Sequence, residues 1–317
     1  MSMKKLIVIH FVIFLLLVTV IYIFIPGELF VSEVIFVKVT RNAAYRSLTD
    51  RNTWHTWWPS PESKKVSAGI GDSVFNYKNV DYTVNPKMID VINLSLTYKR
   101  NVINSFINII SLNNDSVAIE WKSELQTNLN PVKKISAYFT AKKIKHDMGD
   151  ILQNLKAFLE KQENIYGLTI KEEKVKDTLL IATKSVSNSY PATSTIYDLI
   201  KSLKDYILAN GATETNYPML HIIQDSGVFK TMVAIPVNKR IAENRKFLFK
   251  RMVPGRILVT EVKEGRYTCD KALNQLEIYI DDNHLSSPAI PFESLVTDRS
   301  REPDTAKWVT KIYYPIY

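Results

Sequence analysis

Apolar positions follow three different rhythms along the chain. Leu6 to Ile25, LIVIHFVIFLLLVTVIYIFI, contains no Asp, Glu, Lys or Arg, and only His10 and Thr19 are strongly polar. Unbroken apolarity of that length predicts a helix about 30 Å long, which matches a bilayer core. Pro26-Gly27 stops it. A cleavable signal peptide has a shorter apolar run, about 7–15 residues, and ends at a small-residue site. The sequence FIPGELF offers no such site, so the expectation is an uncleaved single-pass anchor in the cell membrane. Lys4 and Lys5 lie next to the span, whereas Lys38, Arg41 and Arg46 follow at a distance. The nearer pair favours an internal N-terminus and extracytoplasmic soluble domains.

From residue 32 the rhythm changes to that of strands. SEVIFVKVT is rich in β-branched residues, and a short helical stretch, Asn42 to Asp50, follows it. A Trp-rich turn, NTWHTWWP, runs from Asn52 to Pro59. The runs SVFNYKNVDYTV, MIDVINLSLTYKR, FINIISL and SVAIEWKSEL are punctuated by Asn85-Pro86 and Asn113-Asn114-Asp115, which predicts an antiparallel meander. In HDMGDILQNLKAFLEKQE the period becomes helical. Met148, Ile151, Leu152, Leu155, Phe158 and Leu159 form one apolar face of a helix of about 16 residues. Such a helix can lie across a curved sheet and close one side of an apolar cavity.

The opening strand, NAAYRSLTDRNTWHTWWP, the Gly69-Ile-Gly71 turn and the terminal helix resemble the START-like, or SRPBCC, superfamily over residues 32–163. The resemblance implies a helix-grip fold with an internal cavity for an apolar small molecule or lipid. It implies no reaction.

Residues 164–171, NIYGLTIK, read as a short linker, and beyond them the chain repeats itself. LKDYILAN at 203–210 matches LEIYIDDN at 276–283, an offset of 73. The same offset relates Leu199 to Ala272, Pro218 to Pro291, Ile222 to Leu295 and Asp225 to Asp298. After a six-residue insertion, Ile235-Pro236 matches Tyr314-Pro315. Each copy reads strand, helix, strand, strand, and two such units can share a groove about a pseudo-twofold axis. The second copy's GRYT, PFES and WVTKIYYPI segments resemble the gyrase-inhibitor-like (GyrI-like) family of effector-binding domains, over about residues 172–317. That resemblance implies a groove for small, often cationic or aromatic ligands, bound by an acidic residue on a central strand and aromatics around it. Glu293 occupies the acidic position. Some family members are hydrolases that use such a glutamate. The family's regulators carry a helix-turn-helix module ahead of this domain, and here a START-like segment and an anchor stand in that place.

Composition narrows the chemistry. Of 317 residues 46% are hydrophobic and 23% charged, which suits a globular chain and excludes wholesale disorder. The single cysteine, Cys269, excludes an internal disulfide framework. The net charge of +9 permits anionic partners. The basic clusters at 142–146 and 244–251 lack any nucleic-acid motif, so no nucleic-acid partner is expected. The five histidines have no metal-binding spacing, and neither a phosphate loop, a dinucleotide fingerprint nor a nucleophile elbow occurs, so neither metal nor cofactor is expected.

Glu293 is the sharpest candidate, because alternation places it on the same strand face as Leu295 and its repeat counterpart is the apolar Leu220. A carboxylate there would attract a cation, or act as general base if burial raised its pKa. Trp308 and Tyr314 on the last strand, and Tyr267 at the start of the second helix, are the candidate aromatic contacts. Tyr206 and Tyr279 recur in both copies, which points to packing. Trp54, Trp57 and Trp58 point to the mouth of the first sheet.

The resulting expectation is an α+β chain: an anchor at 1–28, a START-like domain at 29–165 and a GyrI-like domain at 172–317. Its expected function is capture of an apolar or cationic aromatic small molecule near the membrane, with a lipid-like ligand in the first cavity. Two alternatives stay open, a small-molecule hydrolase with Glu293 as base and a non-catalytic interaction module.

Overall fold

The computed structural model describes residues 3–59, 73–85, 91–287 and 289–317. The Gly69-Ile-Gly71 turn and Pro86 lie outside them. The chain divides into two units, Met1–Lys161 and Gln162–Tyr317, in the α+β arrangement that the patterning predicts.

The first unit opens with helix α1, Met3–Phe24, none of whose residues is buried. It has the length and apolarity that a membrane span needs, with a hydropathy of 3.0. Strand β1, Glu28–Val37, enters a six-stranded antiparallel sheet with β2 (Ser73–Tyr77), β3 (Val80–Asn85), β4 (Val91–Tyr98), β5 (Asn101–Asn113) and β6 (Ser116–Gln126). The strand order is β1-β6-β5-β4-β3-β2. SVFNYKNVDYTV, read above as one run, is a hairpin. Lys78 and Asn79 both take positive φ, 47° and 66°, as the two-residue turn that matches strand twist requires. Lys99 and Arg100 do the same between β4 and β5.

Helices α2 (Arg41–Thr49) and α3 (Arg51–Trp57) follow β1. The Trp-rich stretch is therefore helical rather than a turn. The Asp50 side chain caps it by accepting from the Asn52 amide at 2.9 Å, and Trp54, Trp57 and Trp58 all turn inward. The three rings pack on one another, Trp54 and Trp58 also meet Phe75, and the cluster continues through Tyr82 to Trp121. Indole N–H groups of Trp54 and Trp58 donate to the carbonyls of Leu48 and Asn76. Aromatic side chains thus line this part of the interior.

The closing helix, α4, spans Pro131–Leu159 and has 29 residues rather than about 16. Asn130 caps it, accepting from the Val132 and Lys133 amides, and Pro131 takes the first position, where no N–H is needed. Ile144, Met148, Ile151, Leu152 and Leu155 are buried where the helix packs on β1 and β6. Val132, Tyr138 and Phe139 in its first turns point out instead, so the apolar period used to place its start is absent there.

In the second unit, α5 (Gln162–Tyr166) and β7 (Lys171–Lys174) come first. The segment read as a linker is packed: Tyr166 and Ile170 are buried in this unit's core, and β7 pairs with β12 (Arg256–Lys263). The first repeat is β8 (Leu179–Ser187), α6 (Thr193–Ala209), β9 (Met219–Asp225) and β10 (Val228–Pro236). After β11 (Leu248–Arg251), the second is β12, α7 (Arg266–Asp282), β13 (Phe292–Leu295) and β14 (Val309–Ile316). The eight-stranded order, β11-β8-β10-β9-β13-β14-β12-β7, reads the same from either end in element type.

The repeat extends to individual hydrogen bonds. Both helices have 17 residues. Asn210 and Asn283 cap their C-termini, each side-chain amide donating to the Tyr206 or Tyr279 carbonyl at 2.8 Å. Gly211 and His284 then take positive φ, 63° and 53°. The amides of Ala212 and Leu285 reach back to the carbonyls of Ile207 and Ile280, closing the same terminal motif. Tyr206 stacks on Phe247, and Tyr279 meets Tyr166 edge-on, so both helical tyrosines pack against neighbouring aromatics.

Candidate functional site

The two copies meet where β9 pairs with β13, with Glu293 opposite Leu220 and Ser294 opposite Met219. Glu293 and Leu220 are repeat equivalents, so the pseudo-twofold axis passes between them. Leu220 and Leu295 belong to the core beneath α6, while Phe292 points to the other sheet face. Alternation therefore places Glu293 on the helix-bearing side. There it lines a groove of ≈ 410 Å³ with Tyr190, Ile222, Phe229, Leu273 and Tyr314.

Arg299 meets the buried carboxylate. Its Nη2 donates to Glu293 Oε2 at 3.2 Å and to Thr310 Oγ1 at 2.7 Å, and both charged side chains are largely buried. Pairing offsets the desolvation that either ion would suffer alone. Among the described residues the Arg299 Nε has no hydrogen-bond partner. Burial is the main influence on Glu293 and raises its carboxyl above the usual range. The Arg299 charge and hydrogen bond oppose that rise, Asp270 adds to it, and Cys269 opposes it. The Cys269 thiol is buried and is pushed up to about 12 by burial, with the Glu293 charge adding to the rise.

Arg299 arrives through the six-residue mismatch between the copies. In the first copy β9 and β10 are joined by Ser226-Gly227, whereas in the second a loop over 296–308 separates β13 from β14. Tyr197 on α6 holds that loop: its hydroxyl accepts from the Arg299 amide at 2.6 Å and donates to the Thr297 carbonyl at 3.2 Å. Neither Arg299 nor Tyr197 was singled out in the sequence. The insertion was the available signal, since extra residues at one end of an otherwise regular repeat have to be placed somewhere.

The four sequence candidates separate. Glu293 and Tyr314 line the groove, and the Tyr314 hydroxyl donates to Glu277 at 3.5 Å. Trp308 lies beneath Arg299, whose guanidinium is 4.9 Å from its ring centroid, and its indole N–H donates to the Glu302 carbonyl at 2.8 Å. It braces the arginine and is not part of the groove lining. Tyr267 is 81% exposed and is not part of that lining either.

Residues that the patterning passed over complete the walls. The Arg266 guanidinium sits 3.7 Å from the Tyr190 ring centroid and pairs with Asp270 at 3.2 Å. Tyr190 meets Phe229 edge-on, and its hydroxyl is pushed up to about 12 by burial and then by the Glu293 charge. His221 shares its Nδ1 with the Pro291 carbonyl at 2.9 Å, and burial lowers its pKa. Among the described residues no group of three or more His, Cys, Asp or Glu side chains is placed to hold a metal. The groove can therefore enclose a small apolar or aromatic body beside Glu293, Asp270 and Glu277, with Arg266 as the cation among its lining residues.

No family profile matches the chain, and no curated protein matches it. Among solved structures, the EcmrR C-terminal domain is similar at 15% identity and a TM-score of 0.41, covering 47% of this chain and 98% of that one. A hydrolase from Listeria innocua is similar at 8% identity and a TM-score of 0.35, covering 46% and 92%. SAV2435 bound to tetraphenylphosphonium is similar at 12% identity and a TM-score of 0.32, covering 47% and 94%.

Proposed function

We propose that the chain is a membrane-anchored small-molecule binder. Its GyrI-like second unit holds an apolar or cationic aromatic ligand in the groove that α7 forms with β9 and β13. One observation carries this reading: a buried carboxylate, Glu293, stands at the pseudo-twofold axis within an apolar and aromatic groove. Arg299 engages Oε2 from outside the groove lining, which holds the carboxylate in place beside the groove. Asp270 and Glu277 add negative charge to the walls, so an organic cation fits better than an anion. The first unit, with one long helix across a six-stranded antiparallel sheet, supports a START-like reading of residues 29–165. Helix α1 supplies the anchor, with the soluble units outside the cytoplasm.

The test is calorimetric titration of the full-length protein in detergent with tetraphenylphosphonium. Glu293→Gln should weaken binding about tenfold or more, equivalent to roughly 1.4 kcal/mol. Equal affinity in the variant removes Glu293 from the site. The raised Glu293 carboxyl also favours a second reading, hydrolysis with Glu293 as general base. A bound ester that turns over in the wild type, and binds Glu293→Gln without turnover, would decide for it.

A further inference from the structure

Leu129 and the first turns of α4 carry an exposed apolar stripe. Leu129, Val132, Tyr138 and Phe139 are 84%, 73%, 46% and 63% exposed. Val132, Ile135 and Phe139 recur at helical spacing, on the side of the helix opposite Ala141, Ile144 and Met148, which are buried. Lys133 and Lys142 flank the stripe and are exposed. An apolar helical face edged by lysines has the composition of a segment that lies in a lipid interface.

The position of this stripe identifies what covers it. The Tyr22 hydroxyl, in the last turn of α1, donates to the Leu129 carbonyl. Lys134 Nζ lies 4.8 Å from the Tyr22 ring centroid. The start of α4 is thereby tied to the end of the 22-residue apolar helix. Tyrosines are favoured where a span leaves the hydrocarbon. If Tyr22 sits at that level, the stripe from Leu129 to Phe139 is at headgroup depth, and its lysines can extend their ammonium groups towards lipid phosphates.

We propose that residues 129–139 dock into the headgroup and upper acyl region of the same leaflet from which α1 emerges, so that the first unit rests on the membrane surface. This rests on the reading of α1 as a bilayer span. The test uses full-length protein in vesicles of phosphatidylcholine and phosphatidylserine. Cys269 is fully buried, so a new surface cysteine can be labelled selectively. Phe139→Cys is labelled with an environment-sensitive fluorophore, and Gln153→Cys, exposed on the far part of the same helix, serves as the control. Spin labels on the upper acyl chains should quench the probe at position 139 at least roughly twofold more than the probe at 153, with blue-shifted emission. Equal, weak quenching at both positions overturns the proposal. So does a blue-shifted but unquenched probe at 139, which would show that protein covers the stripe. An alkaline wash of the same vesicles reads the anchor separately. Protein released by the wash defeats the anchor reading and this proposal with it, whereas retained protein with an unquenched probe defeats the docking alone.

Discussion

The two halves of the second unit share their helices, C-terminal caps and core, and differ at one central position. In the first copy the axis position holds Leu220, and a two-residue turn follows its strand. In the second it holds Glu293, and a longer loop brings Arg299 back over the strand. The common parts are those that any such half needs in order to bury a helix on a sheet. The unshared parts hold the charged chemistry. In a duplicated fold, the places where the copies disagree are therefore where a function is to be sought.

That comparison can be broken most forcefully at Arg299. Arg299→Ala leaves Glu293 buried without its partner and should cost about 3–5 kcal/mol in denaturant unfolding of the second unit. Converting the pair to apolar residues, Glu293→Leu with Arg299→Met, should recover most of that loss and make the second copy resemble the first. If Arg299→Ala is neutral, the ion pair is not what stabilises the difference between the halves.

A smaller effect sharpens the role of burial. The folded state raises the Glu293 carboxyl above its ordinary value of 4.5, so folding favours the protonated form. The resulting stability is fully present below that ordinary value and is lost as pH rises through the raised one. Glu293→Gln cannot titrate, so wild-type stability should fall relative to the variant as pH increases from about 4.5. Parallel pH profiles would mean that Arg299 cancels the effect of burial.

The smallest effect tests the shared part. Gly211 and His284 occupy equivalent left-handed positions, where a side chain costs roughly 1–2 kcal/mol. Gly211→Ala should destabilise by about 1 kcal/mol and His284→Gly should stabilise by a similar amount, as melting shifts of opposite sign. Shifts of the same sign would show that the two caps are not equivalent.

Local regularity decided how much of this could be read from the sequence. The apolar run placed α1 to within a few residues, and the offset of 73 captured both 17-residue helices. Glu293 stood out because its counterpart is leucine. The start of α4 was missed because Val132, Tyr138 and Phe139 face away from the sheet and interrupt the buried period. The Trp-rich helix was missed because two indoles in a seven-residue helix, with a third at its C-cap, do not read as helical without the Asp50 cap. Arg299 and Tyr190 reach the groove region from a loop and from the residue before Pro191, where no periodicity constrains the direction of a side chain.

The placement of Glu293 on the axis bears on how the chain came to be a tandem repeat. In a symmetric dimer of two identical half-units, any residue at that position faces its own copy across the seam. A glutamate there would confront a second glutamate at strand-pairing distance, and like charges that close resist joint ionisation. Joining the halves in one polypeptide lets them diverge, so that one side keeps leucine while the other gains a lone carboxylate. A single negative charge on a twofold axis is open to a fused pair and closed to a homodimer.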